Sequence, residues 1–313
     1  MVMAKKKIPS IVKEIREYSP ESIDYSHQTN ISWSQISTYT QCPKKWSLMY
    51  AEGHKIRDYN MNLVFGTAIH ETIQEYLDIM YSQSISKADE LDLNKLFETH
   101  LRDAYQESYK KNKKKHFSNS VEMREFFEDG EAILTEFKKR KSQYFSKKGW
   151  YLIGCEVPIQ IPLSTNQNVI FEGHLDVLLY HEPTETFKII DIKTSYKGWN
   201  DKAKKDELKR NQLLLYKKRL SEKFNIDPKK IEVEFFILKR KIWENSDFAI
   251  RRIQIFNPPS GKNKLGKVED MFNNFVKGAF NGNGERKKND NPTPNSLCQY
   301  CPFHKTHLCS ATF

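Results

Sequence analysis

Asp176, Asp191 and Lys193 sit in the stretch FEGHLDVLLYHEPTETFKIIDIKTS, and their types and spacing could do phosphoryl chemistry. The stretch is rich in Val, Ile, Leu and Phe, and HEPTET at its centre carries turn chemistry, so it predicts a β-hairpin with strands at 168–180 and 186–193. A hairpin centred between Pro183 and Thr184 sets Asp176 opposite Asp191. Opposed side chains on one face have Cβ atoms about 4.5–5.5 Å apart. Lys193, two residues past Asp191, shares that face. Two carboxylates so placed repel each other unless a cation sits between them. Mg2+ favours carboxylate and water oxygens at about 2.0–2.1 Å, holds phosphate and activates water. The ammonium can hold the attacking water or neutralise charge developing on a phosphate. A lone Asp-x-Lys suits any solvated hairpin; the register and the residues around it are what point to metal-assisted hydrolysis.

Those surrounding residues come from three further segments. The pattern of 205–222 is helical, and Gln212 and Tyr216, four apart, share a face of it. Gly66-Thr67-Ala68-Ile69-His70 falls on a helix expected over 62–82. Gly66 and Ala68 are small enough for close packing there, and His70 could ligate Mg2+ or, more comfortably, Mn2+. Glu156 lies on a strand expected over 151–162, where it would be either an acidic support for the site or a paired surface residue.

An aspartate, then about fifteen residues, then Asp-x-Lys is the pattern of PD-(D/E)XK nucleases. Gln-xxx-Tyr after it marks the RecB-like branch. The chain resembles the RecB/AddB-type nucleases with an iron–sulfur cluster, including single-chain CRISPR-adaptation nucleases and exonuclease V-like enzymes, over roughly 31–313. The matching text is Ser34 to Tyr39 with Cys42-Pro43, Gly66 to His70, Gly173 with Asp176, Asp191-Ile192-Lys193, Gln212 with Tyr216, and Cys298, Cys301 and Cys309. The resemblance implies an α/β fold: a restriction-endonuclease-like core with a central mixed sheet flanked by helices, a helical insertion near 83–150 and a C-terminal cysteine clasp. It also implies that His70, Asp176, Asp191 and the Ile192 carbonyl hold the metal, that Lys193 assists the attacking water, and that Gln212 and Tyr216 orient substrate and site.

Four thiolates suit either a [4Fe–4S] cluster or Zn2+. The tail offers Cys298, Cys301 and Cys309, and the resemblance supplies Cys42 as the fourth, tying the first helix to the C-terminus. Prolines after Cys42 and Cys301 favour iron–sulfur. The rival is a local zinc site of Cys298, Cys301, Cys309 and either His304 or His307, with Cys42 free. Cys155, the fifth cysteine, is expected to be a buried strand thiol.

The remaining elements frame these residues. Residues 1–30 read as an extension with one short helix, and 31–313 as a single domain. Over 31–50 a helix capped by Ser34 or Ser37 is interrupted at Pro43. Helices follow at 91–110 and 121–147, then strands at 231–240 and 247–255, a helix at 264–280 and a loop before the cysteines. Tyr105, Tyr109, Phe126, Phe127, Tyr144 and Phe145 interleave with basic residues; they would either stack single-stranded bases or fill a core.

The chain has 313 residues, 38% of them apolar and 29% charged, with a formal net charge of +11. That balance suits a soluble globular protein. No apolar run approaches the ~18–20 residues of a membrane helix, and MVMAKKKIPS lacks the apolar stretch of a signal peptide, so a cytoplasmic protein is expected. Basic clusters at 110–115, 138–141, 202–210, 239–241 and 286–288 suit a polyphosphate partner. Lys202, Lys204, Lys205, Lys209 and Arg210 lie between the Asp-x-Lys strand and the Gln212 helix, where a phosphate near the metal would pass. The expected function is a Mg2+- or Mn2+-dependent deoxyribonuclease, acting on single-stranded DNA ends as the resembling enzymes do. The alternative is a DNA-binding or assembly subunit of a helicase–nuclease, recombination or CRISPR-adaptation complex.

Overall fold

The hairpin forms with the expected register. The computed structural model describes residues 8–20, 28–54, 56, 58–243 and 250–310. Within these, the elements are α1 (Ser10–Glu17), β1 (Thr29–Ile31), α2 (Trp33–Gln41), α3 (Pro43–Trp46), α4 (Met61–Ser82), α5 (Ile85–Asp89), α6 (Leu93–Lys111), α7 (Ser120–Tyr144), β2 (Trp150–Leu163), β3 (Asn166–His181), β4 (Thr186–Ser195), α8 (Asp201–Lys205), α9 (Glu207–Phe224), β5 (Ile231–Lys239), β6 (Ile253–Phe256) and α10 (Lys262–Ala279). Residues 247–249, where the last strand was expected to start, and much of the expected N-terminal extension lie outside the described residues.

The mixed sheet runs β1-β3-β4-β5-β6, with β2 also paired to β3. β1–β3 and β4–β5 are parallel, and the other pairs are antiparallel. Helices cover both faces. One core gathers Phe171, Leu178, Ile189 and Phe235 from the sheet with Leu213 and Leu220 of α9 and Phe272 and Phe275 of α10. The other gathers Val177, Ile190, Ile192 and Phe236 with Phe65, Ile69 and Ile73 of α4, Phe97 of α6 and Phe137 of α7. This is the central mixed sheet flanked by helices that the sequence leads one to expect. No described helix is long and apolar enough to cross a membrane.

The segment after residue 30 breaks as expected at Pro43, which occupies the first turn of α3, where its missing N–H costs nothing. Cys42 joins the two helices: its N–H donates to the Thr38 carbonyl, and its Sγ accepts from Lys45 N at 3.5 Å. The cap of α2 differs from expectation. Ser32, not Ser34 or Ser37, stands at the N-cap, because the helix already begins at Trp33. α1 packs on the core through Val12 and Ile15, and Arg16 donates to the Leu152 and Ile153 carbonyls.

The aromatics of α6 and α7 resolve toward packing. Tyr105, Phe126 and Phe145 are buried, and Tyr109, Phe127 and Tyr144 pack against the same core. Two cations of the 239–241 cluster, Arg240 and Lys241, are likewise committed. Arg240 Nε lies 3.0 Å from Asp129 Oδ2, Lys241 Nζ lies 2.9 Å from Asp129 Oδ1, and both cations also reach Glu125. These charges tie α7 to the end of β5 and are not free for phosphate.

Candidate active site

The β3–β4 pairing runs from His181↔Thr186 to Val177↔Ile190. One step further, at Asp176 and Asp191, the ladder gives way to a side chain: Asp176 Oδ2 accepts from Ile192 N at 2.7 Å. Beyond this point β4 stays with β5 through Ser195↔Lys239, while β3 pairs with β1 at 169–171. The hairpin therefore forks at the two carboxylates. β3 also turns over here. Side chains two apart normally share a face, yet Leu175 enters one core and Val177 the other. The turnover lets Asp176 meet groups from both sides of the sheet.

From the α4 side comes His70, whose Nδ1 lies 3.7 Å from Asp176 Oδ2. Burial and the Lys193 charge pull His70 down to about 4, against a hydrogen bond to the Ile192 carbonyl. The ring is therefore neutral at physiological pH, the form that ligates metal. From β2 comes Glu156, between the pairs Cys155↔Val177 and Val157↔Leu175, which puts it across from Asp176. Its backbone has φ of 50°, a conformation rare for a non-glycine residue. One ligand atom each from His70, Glu156 and Asp176 all lie within 4.8 Å of one another, the sole such group among the described residues. Gln74, one turn along α4 from His70, holds this arrangement. Its Nε2 donates to Glu156 Oε1 at 2.7 Å and to the Asp176 carbonyl at 2.9 Å. Sequence reasoning missed Gln74; its spacing of four from His70 was the available signal.

On the α9 side, Asp191 is buried and faces Lys193, whose Nζ lies 2.8 Å from Oδ2. The contact is a charge pair through Oδ2, and Asp191 Oδ1 is buried without a partner. Burial raises both aspartates above the usual carboxylate range; Asp191 repels Asp176 further, while Lys193 works the other way. Burial would depress Lys193, but Asp191 and Asp176 outweigh it and keep the ammonium charged. A buried carboxylate oxygen without a partner, Asp191 Oδ1, and three converging ligand atoms nearby are what a hard divalent cation satisfies. His70, Glu156 and Asp176 thus fit a metal, with Glu156 added to the expected residues; Asp191 and the Ile192 carbonyl, also expected from the sequence, are not part of that group of three.

Gln212 Nε2 donates to the Tyr216 hydroxyl at 3.3 Å, and burial raises the tyrosine so that it stays protonated. The Tyr216 ring explains Gly173: a Cβ there would lie 2.8 Å from Tyr216 Cε1. Gly66, expected to be the tight position, would place a Cβ 3.7 Å from Thr194 Oγ1, an ordinary contact. Gly173→Ala should therefore cost about 1–3 kcal/mol by overpacking. Gly66→Ala, within α4, should be neutral or stabilise by up to about 1 kcal/mol. Thermal melts check this, and a reversed order would refute the packing argument.

Lys193 and Gln212 open onto a cleft also lined by Trp33, Gln41, Trp199 and Lys209. Lys209 Nζ stands 5.1 Å over the Trp199 ring. Lys202, Lys205 and Lys209 line an adjoining depression. Lys204 shares α8 with Lys202 and Lys205, and Arg210 pairs with Glu207 at 3.7 Å.

Gln41 also lines a second pocket, walled by Cys42, Cys298, Cys301, Cys309 and His304. Thr293 N and Lys45 N both approach Cys42 Sγ at 3.5 Å, and Asn295 N approaches Cys298 Sγ at 3.5 Å. Asn295 Nδ2 also donates to the Gln41 carbonyl, fastening the tail to α2. His304 Nε2 is buried without a partner, whereas His307 does not line the pocket. Cys155 stands elsewhere, half-buried near the Gln74 carbonyl, with burial pushing its thiol up to about 12.

Among solved structures, the chain is similar to a protein from Eubacterium rectale named as a candidate exonuclease. They share 13% identity with a TM-score of 0.47, over 96% of this chain and 95% of that one. A crystal structure of SSO0001 shares 12% identity with a TM-score of 0.38, over 94% and 91%. No curated protein matches the sequence. The profile of the PD-(D/E)XK nuclease superfamily matches residues 30–306, taking in the forked hairpin, His70, α9 and the first two tail cysteines. A match over that much of the chain is not a local motif, and the protein belongs to the PD-(D/E)XK nuclease superfamily.

Proposed function

We propose that this chain is a divalent-metal-dependent deoxyribonuclease that degrades single-stranded DNA from an end. The observation that carries the reading is the fork itself: His70, Glu156 and Asp176 converge on one point, next to the Asp191–Lys193 pair, at the head of a basic cleft. His70, Glu156, Asp176, Asp191 and the Ile192 carbonyl would hold Mg2+ or Mn2+. The bound ion supplies Lewis-acid polarisation of the phosphate and a water of lowered pKa.

The protein's own groups do the rest. Lys193 keeps its proton at neutral pH, so it acts as a donor and positive charge, stabilising charge that develops on the phosphate and orienting the attacking water. The protonated Tyr216 hydroxyl, fixed by Gln212, offers a second donor on the same side. Lys209 and its neighbours on α8 and α9 meet the DNA backbone. A [4Fe–4S] cluster on Cys42, Cys298, Cys301 and Cys309 is structural in this reading. The four thiols around one pocket, with amides aimed at two sulfurs, support it.

End-labelled single-stranded and duplex oligonucleotides, with Mg2+, Mn2+ or EDTA, test the proposal. The expected result is ion-dependent shortening of single strands from one end. No cleavage with either ion would refute it.

A further inference from the structure

Two large aromatic side chains stand in water just past the ends of β4 and β5. Trp243 is 63% exposed and Tyr196 59%, in a protein that buries most of its rings. Lys197 lies between them, its Nζ 3.4 Å from the Trp243 ring centroid and 5.8 Å from that of Tyr196. The fold puts these residues together deliberately. β4 and β5 are parallel and in register, so their chains leave the sheet at the same edge. The pairing continues past both strands, with Arg240 N donating to the Ser195 carbonyl at 2.9 Å and Lys241 N to the Tyr196 carbonyl at 2.8 Å. The Arg240–Asp129 pair below anchors this edge to α7. Lys193 is three residues before Tyr196, about 10 Å along a strand. Ser195, next to Tyr196, lines the cleft that Lys193 opens onto.

Exposed aromatic faces cost free energy in water unless something covers them. Unpaired bases suit this pair: each base offers a π face, and the lysine between the rings attracts the phosphates. At about 3.4 Å per stacked nucleotide, 10 Å is about three nucleotides from the reacting phosphate. We infer that Tyr196, Trp243 and Lys197 form a platform on which bases of single-stranded DNA stack as the strand meets the cleft. This rests on the nuclease reading and names the residues that would hold its unpaired substrate.

The test is fluorescence anisotropy in EDTA, where nothing is cut. A single-stranded 20-mer, the same 20-mer as duplex and an abasic 20-mer are titrated with wild type, the Tyr196→Ala/Trp243→Ala double variant and Trp243→Phe. Circular dichroism melts confirm folding. The double variant should lose about five- to a hundredfold in affinity for the single strand, given the typical value of base–aromatic stacking. Its affinity for duplex and abasic DNA should stay within about twofold of wild type, and Trp243→Phe should retain most of the binding. An unchanged single-strand affinity overturns the platform, and so does a parallel loss on all three ligands, which would mean a general charge or folding effect. Cleavage by wild type is measured separately. If wild type cuts nothing while the selective binding loss is seen, the nuclease reading falls and the platform stands.

Discussion

Lys193→Ala should reduce DNA cleavage by at least a hundredfold while leaving DNA affinity within a fewfold of wild type. Removing one preorganised donor to a developing charge typically costs about 10²–10³ in rate. Lys193 is placed to be such a donor: Asp191 and Asp176 hold it charged, and it opens onto the cleft where a phosphate would lie. It is also the immediate counter-charge of a buried carboxylate, 2.8 Å away. The substitution therefore leaves Asp191 without its cation, and its pKa should rise further, because burial then acts unopposed. Lys193→Arg keeps the positive charge but replaces a compact ammonium with a planar fork, so it should recover little activity. Affinity should survive because Lys202, Lys205 and Lys209, which line the depression next to the cleft, keep their charge. Single-turnover cleavage and anisotropy, with a melt to confirm folding, separate the two effects. Cleavage within about tenfold of wild type would remove Lys193 from the mechanism.

Cys42→Ser should strip metal from the protein and unfold it at markedly lower temperature. Cys42 shares one pocket with Cys298, Cys301 and Cys309 although it lies at the other end of the chain. A link across that pocket closes a loop of roughly 250 residues. By the chain-entropy argument used for disulfides, such a closure stabilises by up to about 5 kcal/mol. Iron, zinc and absorbance near 400 nm, measured on anaerobically purified protein, give the outcome. Cys155→Ser is the control and should keep its metal, since that thiol stands apart beside Gln74. Full metal content in Cys42→Ser would dismiss the clasp. The local alternative through His304, whose buried Nε2 lacks a partner, would then take its place.

Much of the site was legible in the sequence because its determinants are local. The turn residues around Pro183 and Thr184 set the hairpin register, and a two-residue period then put Asp176 across from Asp191 and Lys193 on the same face. The four-residue step from Gln212 to Tyr216 is likewise a property of one helix, and their hydrogen bond follows from it. Tertiary structure decided what depends on partners distant in sequence. Glu156 reaches Asp176 only through a β2–β3 register that shifts between Leu152 and Gly154, and no local rule places such a shift. Gln74 becomes a clamp only once α4 lies across both strands. The aromatics of α6 and α7 interleave with lysines as a binding face would, yet they are core, because the sheet covers them. Arg240 and Lys241 read as free positive charge until α7 brings Asp129 and Glu125 against them. Tyr196 and Trp243 carry no sequence mark of exposure. Burial is set by what packs on a side chain, and nothing within the described fold covers those two.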